Sequence, residues 1–327
     1  MKHSIRIFNP DLPIMRLPFE WKGNLLEGHG RFVNHEHPFN DSFLEVLKWQ
    51  FMRNPQKAEK TGDNWRLQPQ RTDFLTSGND CMVWLGHASF FIRLAGVTML
   101  IDPVLFNVSV KKRLCALPAA AEDFKGIDYI LVSHDHRDHC DAGSLKLLAQ
   151  LNPEAMYLTG LRMKTLLHSL TGSNRIQEAG WYQEYRTPEQ LNVYYMPTRH
   201  WGRRGISDTN KRLWGGYIIQ GAGKTIYFGG DSGFGHHFTD LATIFPDIDY
   251  AILGIGAYKP EFFMSQAHMS PTDALQAFKN TAAKKMIPMH YGTFDLSDEP
   301  VGDPLRVLQQ AGNKDVLAVE PGEIVQL

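Results

Sequence analysis

Ser133-His134-Asp135-His136-Arg137-Asp138-His139 decides how this chain reads. Three histidines and the carboxylate of Asp138 fall within six residues. Directly before them, Asp128-Tyr129-Ile130-Leu131-Val132 is an apolar run of strand length that ends at the motif. A strand that delivers several imidazoles and a carboxylate onto one tight loop presents the donors that borderline cations such as zinc accept. The bland reading is a polar surface loop that happens to be rich in histidine, and it leaves the partners further along the chain unexplained.

The bulk properties set the frame. A chain of 327 residues can bury a large core. With 43% hydrophobic and 21% charged residues, the composition is that of an ordinary globular protein. The formal net charge of −1 lacks the basic excess of a nucleic-acid binder, so no nucleic-acid partner is expected. Cys81, Cys115 and Cys140 are too few for a disulfide framework and fit a reducing interior. Cys140 follows His139 directly, and the better reading is a small buried apolar residue. The N-terminus soon meets Pro10 and Pro13 without the apolar core of a signal peptide. No stretch reaches the roughly 18 apolar residues of a spanning helix. The expectation is a cytoplasmic protein able to rest peripherally on the inner face of the membrane; the oligomeric state is not encoded legibly.

Residues 1–78 carry scattered Pro, Asn, Gly and aromatics with little periodicity, and read as an N-terminal extension packed on a main domain at 79–327. Their clearest element is a helix over 41–51 with Asp41 or Ser42 as N-cap. His35-Glu36-His37 lacks a convergent partner and reads as loop. In the main domain, strands are expected over 82–85, 89–94, 97–101, 155–158, 191–195, 213–219, 225–228, 250–253 and 285–288. A helix opens after Asp141. A second starts at Ser270, with Pro271 at its first position and Asp273 three residues after the cap, and a third runs from Asp303-Pro304 to Gly312. Strands first, then strands mixed with helices, predict an α/β sandwich with helices outside.

Polar residues recur just past strand ends. Val132 leads to His134, Tyr195 to His200, Phe228 to Asp231, Ile287 to His290 and Ile101 to Asp102. If those ends meet along one edge, His134, His136, His200 and Asp231 can surround one metal. Asp138, His139 and His290 can surround a second, with Asp231 bridging.

His134-x-His136-x-Asp138-His139 followed by His200, Asp231 and His290 resembles the metallo-β-lactamase fold of binuclear zinc hydrolases. The resemblance covers about residues 80–327 and implies a four-layer αββα sandwich with two Zn2+ at one edge; iron or manganese also suits His and carboxylate ligands. Trp84-Leu85-Gly86-His87-Ala88-Ser89, His200-Trp201, Asn210-Lys211-Arg212-Leu213-Trp214-Gly215, Gly230-Asp231-Ser232-Gly233 and His290-Tyr291-Gly292-Thr293-Phe294 are similar to the N-acylphosphatidylethanolamine-hydrolysing phospholipase D branch. Two positions depart from it. Arg137 stands where the mammalian enzyme carries an aromatic that touches substrate, and Ala267 stands where an amide residue is expected before His268.

Two dications, two carboxylates and one hydroxide leave about one net positive charge, which favours an anionic electrophile. The resemblance implies attack of a metal-bridging hydroxide on phosphorus, releasing phosphatidic acid and an N-acylethanolamine. It implies that Asp231 bridges the metals, that Asp138 ligates and steers the hydroxide, and that His268 hydrogen-bonds the phosphate or protonates the leaving group; a plain loop histidine is the alternative for His268. His87 and Asp102 are candidates to orient ligands from behind. Arg137, Trp201, Arg203 and Tyr258 are candidates for the substrate groove. Arg203 and Arg204 read equally well as a headgroup site or a solvated pair, and His236-His237 as surface histidines. The expected substrate is a phospholipid or other phosphodiester. A lactonase or amide-bond hydrolase on the same scaffold remains open, as does a non-enzymatic binding protein on this fold. A long apolar groove would favour the lipid and a small basic one a sugar phosphate.

Overall fold

The computed structural model describes residues 5–34, 36, 49 and 51–327. Most of the helix expected over 41–51 lies outside the described residues, as do His35 and His37. Three short strands, β1 (Ile5–Ile7), β2 (Asn24–Glu27) and β3 (Arg31–Phe32), form an antiparallel sheet in the N-terminal segment, and α1 (Lys57–Gly62) follows. Next come β4 (Cys81–Gly86), β5 (Ser89–Leu94), β6 (Val97–Ile101), β7 (Tyr129–Val132), α2 (Ala142–Leu151), β8 (Met156–Gly160), α3 (Lys164–Thr171) and β9 (Ile176–Ala179). The second half contributes β10 (Gln183–Glu184), β11 (Leu191–Met196), β12 (Gly216–Gly221), β13 (Lys224–Phe228), α4 (His237–Ile244) and β14 (Tyr250–Gly254). The chain ends with α5 (Glu261–Met264), α6 (Pro271–Thr281), β15 (Lys285–Met289), α7 (Asp303–Gln310) and β16 (Ile324–Gln326). One large sheet orders seven strands as β16-β4-β5-β6-β7-β8-β9, and the other orders β10 to β15 consecutively.

The side-chain alternation of the strands explains the layers. In β4, Met82 and Trp84 point into the core shared with the second sheet, while Cys81, Val83 and Leu85 point to the other face. That other face packs against Leu145 and Leu148 of α2 and Leu167 of α3. In β5, Phe90 and Ile92 face the second sheet and Phe91 faces the helices. The second sheet carries its own helices, through Phe238 of α4, Phe278 of α6 and Leu308 of α7. Strands buried on both faces read as continuous apolar runs, which is why β4 to β7 were legible. The result is the four-layer αββα sandwich.

Both sheets begin antiparallel and continue parallel, over β6 to β9 in one and β13 to β15 in the other. The parallel strands β6, β7, β13 and β15 are the ones whose carboxyl ends lead to Asp102, His134, Asp231 and His290. The strand expected over 213–219 starts only at Gly216. Residues 213–215 leave their own sheet and bridge to the other: Leu213 N–H donates to Leu161 O and Gly215 N–H to Ser133 O. Strands β9, β10 and β16 are short and half-polar and carry little pattern. No described helix is long and apolar enough to cross a membrane.

The helix caps follow the sequence. Asp141 accepts from the backbone N–H and the hydroxyl of Ser144, and Ser270 with Asp273 forms a reciprocal capping box. Asp141→Ala is expected to cost about 1 kcal/mol of stability, read as a lower melting temperature of the full-length protein.

Candidate metal centre

Three candidate ligands, His134, His139 and His200, are each oriented by a contact on the far side of the ring. Asp102, at the end of β6, accepts from Ser133 N–H (2.7 Å), from Ser133 Oγ (2.5 Å) and from His139 Nδ1 (2.7 Å). Because Ser133 gives its hydroxyl proton to Asp102, the contact of 2.9 Å between Ser133 Oγ and His134 Nδ1 has the imidazole as donor. His200 Nδ1 donates to Ala267 O at 3.0 Å, since a carbonyl can only accept. In all three rings Nδ1 makes the outer contact and Nε2 faces inward, the arrangement that a hydrogen-bonded metal ligand needs.

Those inward nitrogens converge. His136 Nδ1 lies 2.9 Å from His134 Nε2 and 3.1 Å from His200 Nε2. Asp231 Oδ2 lies 3.7 Å from His200 Nε2 and 3.9 Å from His134 Nε2. On its other side the same oxygen is 3.1 Å from His139 Nε2 and 3.3 Å from His290 Nε2, neither in hydrogen-bond alignment. Asp138 Oδ2 lies 3.6 Å from His290 Nε2 and 3.8 Å from His139 Nε2. Two ligands on one tetrahedral zinc are roughly 3.3 Å apart, so these spacings fit a cation within each group. Two compact donor groups result, His134-His136-His200-Asp231 and His87-Asp138-His139-His290. Asp231 stands between them.

The charges fit as well. Burial and the neighbouring imidazoles hold His134 well below its usual pKa, and burial does the same to His200. Burial works against ionisation of Asp138 and Asp231, yet His139 beside them keeps both well below the carboxylate range. The donors are therefore neutral nitrogens and ionised oxygens. His139 and His290 behave differently: burial lowers them, but the Asp231 and Asp138 carboxylates outweigh it, raising His290 to about 9 and His139 well above normal.

Backbone geometry aims the side chains. His87, Asp102 and His290 all have φ in the left-handed region, at 54°, 42° and 64°, where non-glycine residues are uncommon. His290 N–H donates to His87 O at 2.9 Å, and His87 N–H to Thr293 Oγ1 at 2.6 Å. Gly256 lets the next loop pass: a Cβ there would stand 2.2 Å from His290 O.

Of the residues assigned behind the ligands, Asp102 is placed as described and His87 Nε2 lies 3.0 Å from Asp138 Oδ2. A 400 Å³ cleft opens over the two groups, lined by Trp49, Arg137, Trp201, Arg203, Ala257, Phe263, Met264, Ala267, His268 and Leu296 beside His136, Asp138, Asp231 and His290. Tyr258 is a correction. Its hydroxyl lies 2.5 Å from Asp303 Oδ2, so it turns away from the cleft, and Ala257 holds the wall instead. His237 is a second correction: it is buried, with Nε2 3.1 Å from Ser232 Oγ, because α4 carries it inward. Arg204 is half-buried and does not line the cleft. It braces the motif loop by donating to Asp135 O and Cys140 O. Cys140 is buried outside both donor groups.

Three supporting residues were given no role from the sequence. Asp135, inside the motif, points away from the donors and pairs with Arg212 Nε at 2.6 Å. Ser133 relays Asp102 to His134. Asn34, from the N-terminal segment, accepts on Oδ1 from His200 N–H (3.0 Å) and from Trp214 Nε1 (3.2 Å). A Ser-His pair at a strand end could have flagged Ser133. Nothing local distinguishes Asn34 from any loop asparagine.

Two outcomes are expected. Asn34→Leu removes the acceptor beneath His200 and should weaken metal binding about tenfold, whereas Asn34→Asp keeps an acceptor oxygen and should bind nearly as well; competition with a chromogenic chelator measures both. Metal uptake at pH 7 should release about one to two protons from His139 and His290, so affinity should rise from pH 7 to about 9. Calorimetry in buffers of different ionisation enthalpy reads this directly, and a pH-independent affinity would contradict it.

The comparisons agree with this geometry. Residues 98–291 match the family described as Beta-lactamase superfamily domain. The chain is 32% identical to the N-acyl-phosphatidylethanolamine-hydrolyzing phospholipase D 1 of Caenorhabditis elegans, over 77% of each chain. It is 30% identical to a metal-dependent hydrolase of Pelotomaculum thermopropionicum, over 75% of this chain and 99% of that one. Among solved structures, a possible metal-dependent hydrolase from Veillonella parvula superposes with a TM-score of 0.62 at 17% identity, over 76% of this chain and all of that one. Ligand donors, layered sandwich and sequence kinship converge, and the chain belongs to the metallo-β-lactamase superfamily as one of its metal-dependent hydrolases.

Proposed function

We propose that the protein is a binuclear phosphodiesterase of phospholipase D type, cleaving N-acylphosphatidylethanolamine or a related lipid phosphodiester. The observation that carries this reading is the cleft: Trp49, Phe263, Met264 and Leu296 form an apolar wall over the donor groups, with Trp49 and Phe263 in ring contact at 5.9 Å. A small sugar phosphate needs no such wall, whereas an acyl chain does. The name of the C. elegans relative points to the same substrate class.

In this reading His134, His136 and His200 hold one Zn2+, Asp138, His139 and His290 hold the other, and Asp231 is shared. When bound there, the ions supply Lewis acidity toward a phosphoryl oxygen and a low-pKa water as nucleophile. Asp138, fixed by His87, orients the attacking group. Trp201 packs on His136, with ring centroids 4.5 Å apart, and shields it. His268 sits in the cleft with Nδ1 3.8 Å from Asp231 Oδ2. Burial pushes its pKa down to about 4, so at neutral pH it is an uncharged ring suited to hydrogen-bonding the phosphate and poor as a proton source for the leaving group. The N-terminal extension is part of the working unit, since it supplies Asn34 behind His200 and Trp49 in the cleft wall.

Zinc-loaded protein offered N-acylphosphatidylethanolamine and a phosphorylated sugar lactone should release phosphatidic acid and the N-acylethanolamine, identified by mass, and leave the lactone closed. Asp231→Ala should lose bound metal and at least about a hundredfold in turnover. Lactone opening alone would overturn the substrate class, and full activity of Asp231→Ala would overturn the site.

A further inference from the structure

Two guanidinium groups enter the cleft without a counter-charge. Arg137 stands between the candidate ligands His136 and Asp138 and is exposed; Arg203 follows His200 by three residues and is half-buried. Among the described residues neither forms an ion pair. Their neighbours are committed: Arg212 pairs with Asp135 and Asp208, and Arg204 is spent on backbone carbonyls. Arg203 Nε donates to Gly205 O at 3.0 Å, and Arg137 Nη2 reaches toward Arg204 O at 3.5 Å. Both heads are therefore tethered to one short loop, and each keeps most of its five N–H donors free.

Among the described residues the only carboxylates lining this cleft are Asp138 and Asp231, and both belong to the donor groups. On the reading above, the scissile phosphate and those carboxylates meet the charge of the centre. Two like charges held against one loop then remain unneutralised. Paired guanidinium forks match the oxygens of a phosphate better than any other common group. The apolar wall of Trp49, Phe263, Met264 and Leu296 offers no competing anion.

We infer that Arg137 and Arg203 are specificity-determining residues that bind a second anionic group on the substrate itself, so that the preferred substrate is a lipid phosphodiester with a phosphomonoester on its headgroup. The inference rests on the phosphodiesterase reading. The chemistry is unchanged: water adds across the headgroup P–O bond, leaving phosphatidic acid and a phosphorylated alcohol that takes up the proton.

The test uses a matched pair in mixed micelles, phosphatidylglycerol and phosphatidylglycerol phosphate, with zinc-loaded full-length protein. The phosphorylated lipid should have the higher kcat/KM by about ten- to a hundredfold, mostly through KM. In Arg137→Met and Arg203→Met that ratio should shrink, in the double variant it should approach one, and Arg137→Lys should restore part of it. The ratio is insensitive to a general loss of folded enzyme. A wild-type ratio near one, or a ratio unmoved in the double variant, would overturn the inference and leave the phosphodiesterase reading standing. So would an equal gain when free glycerol 3-phosphate is added to phosphatidylglycerol, because the anion would then come from solution. If neither lipid is cleaved, the phosphodiesterase reading fails separately, and calorimetry decides the anion site: glycerol 1,3-bisphosphate should bind at least tenfold tighter than glycerol 3-phosphate, and equal binding would overturn it.

Discussion

One buried carboxylate holds the centre in shape. Asp102 has no exposed surface, and burial pushes its pKa up while His139 and Ser133 pull it back. A carboxylate in that position is tolerable only if its oxygens are satisfied, and here one backbone N–H, one hydroxyl and one imidazole satisfy them. The same three contacts fix the tautomer of His139 directly and of His134 through Ser133. Both donor groups thus inherit their ring orientation from a residue that belongs to neither. Asp102 also directly follows β6, which pairs with β7 in the sheet, so the register of two parallel strands sets the distance between it and the motif loop.

That arrangement carries a cost in the backbone. His87, Asp102, Ala257 and His290 all lie in the left-handed region, at about 1–3 kcal/mol each. They stay there because surrounding contacts over-determine them. His87 O accepts from Trp84 Nε1 at 2.8 Å as well as from His290 N–H, and Trp84 stacks on Tyr291 with centroids 5.1 Å apart. The core between the sheets is thereby tied to the loops that present the ligands. Such strain persists at functional sites where an apolar core can offset it.

What the sequence made legible follows from the same physics. Runs such as Tyr129–Val132 are buried on both faces and announce themselves by composition, and the polar residues just past them were readable as one edge. Caps at Asp141 and Ser270 were readable because the capping chemistry is local. Tyr258 and His237 were misplaced because their partners, Asp303 and Ser232, are set by tertiary packing that no spacing reveals. Asn34 was invisible for a related reason: it lies 166 positions from the histidine it braces, in a segment with no periodicity. Arg204 was left open between two exposed roles, and only the path of the loop shows that its guanidinium turns inward.

The centre itself cannot select a substrate. Cations held by these donors would polarise any suitably placed phosphoryl or acyl oxygen, so selectivity has to come from the cleft walls. Part of those walls comes from outside the stretch that holds the donors. The family match spans residues 98–291, while Trp49 in the wall, Leu296 beside it and Asn34 behind His200 fall beyond that span. Apolar area contributes about 25 cal/mol per Å² buried, so one aromatic side chain over the centre changes affinity for an acyl chain by more than an order of magnitude. An unpaired guanidinium does the same for an anion. Both kinds of residue can be exchanged without touching a single donor atom. Neighbours that share the donors and the sandwich can therefore act on different substrates, and on the proposed reading the residues that decide for this chain are the tryptophan supplied by the N-terminal segment and the two arginines of the cleft.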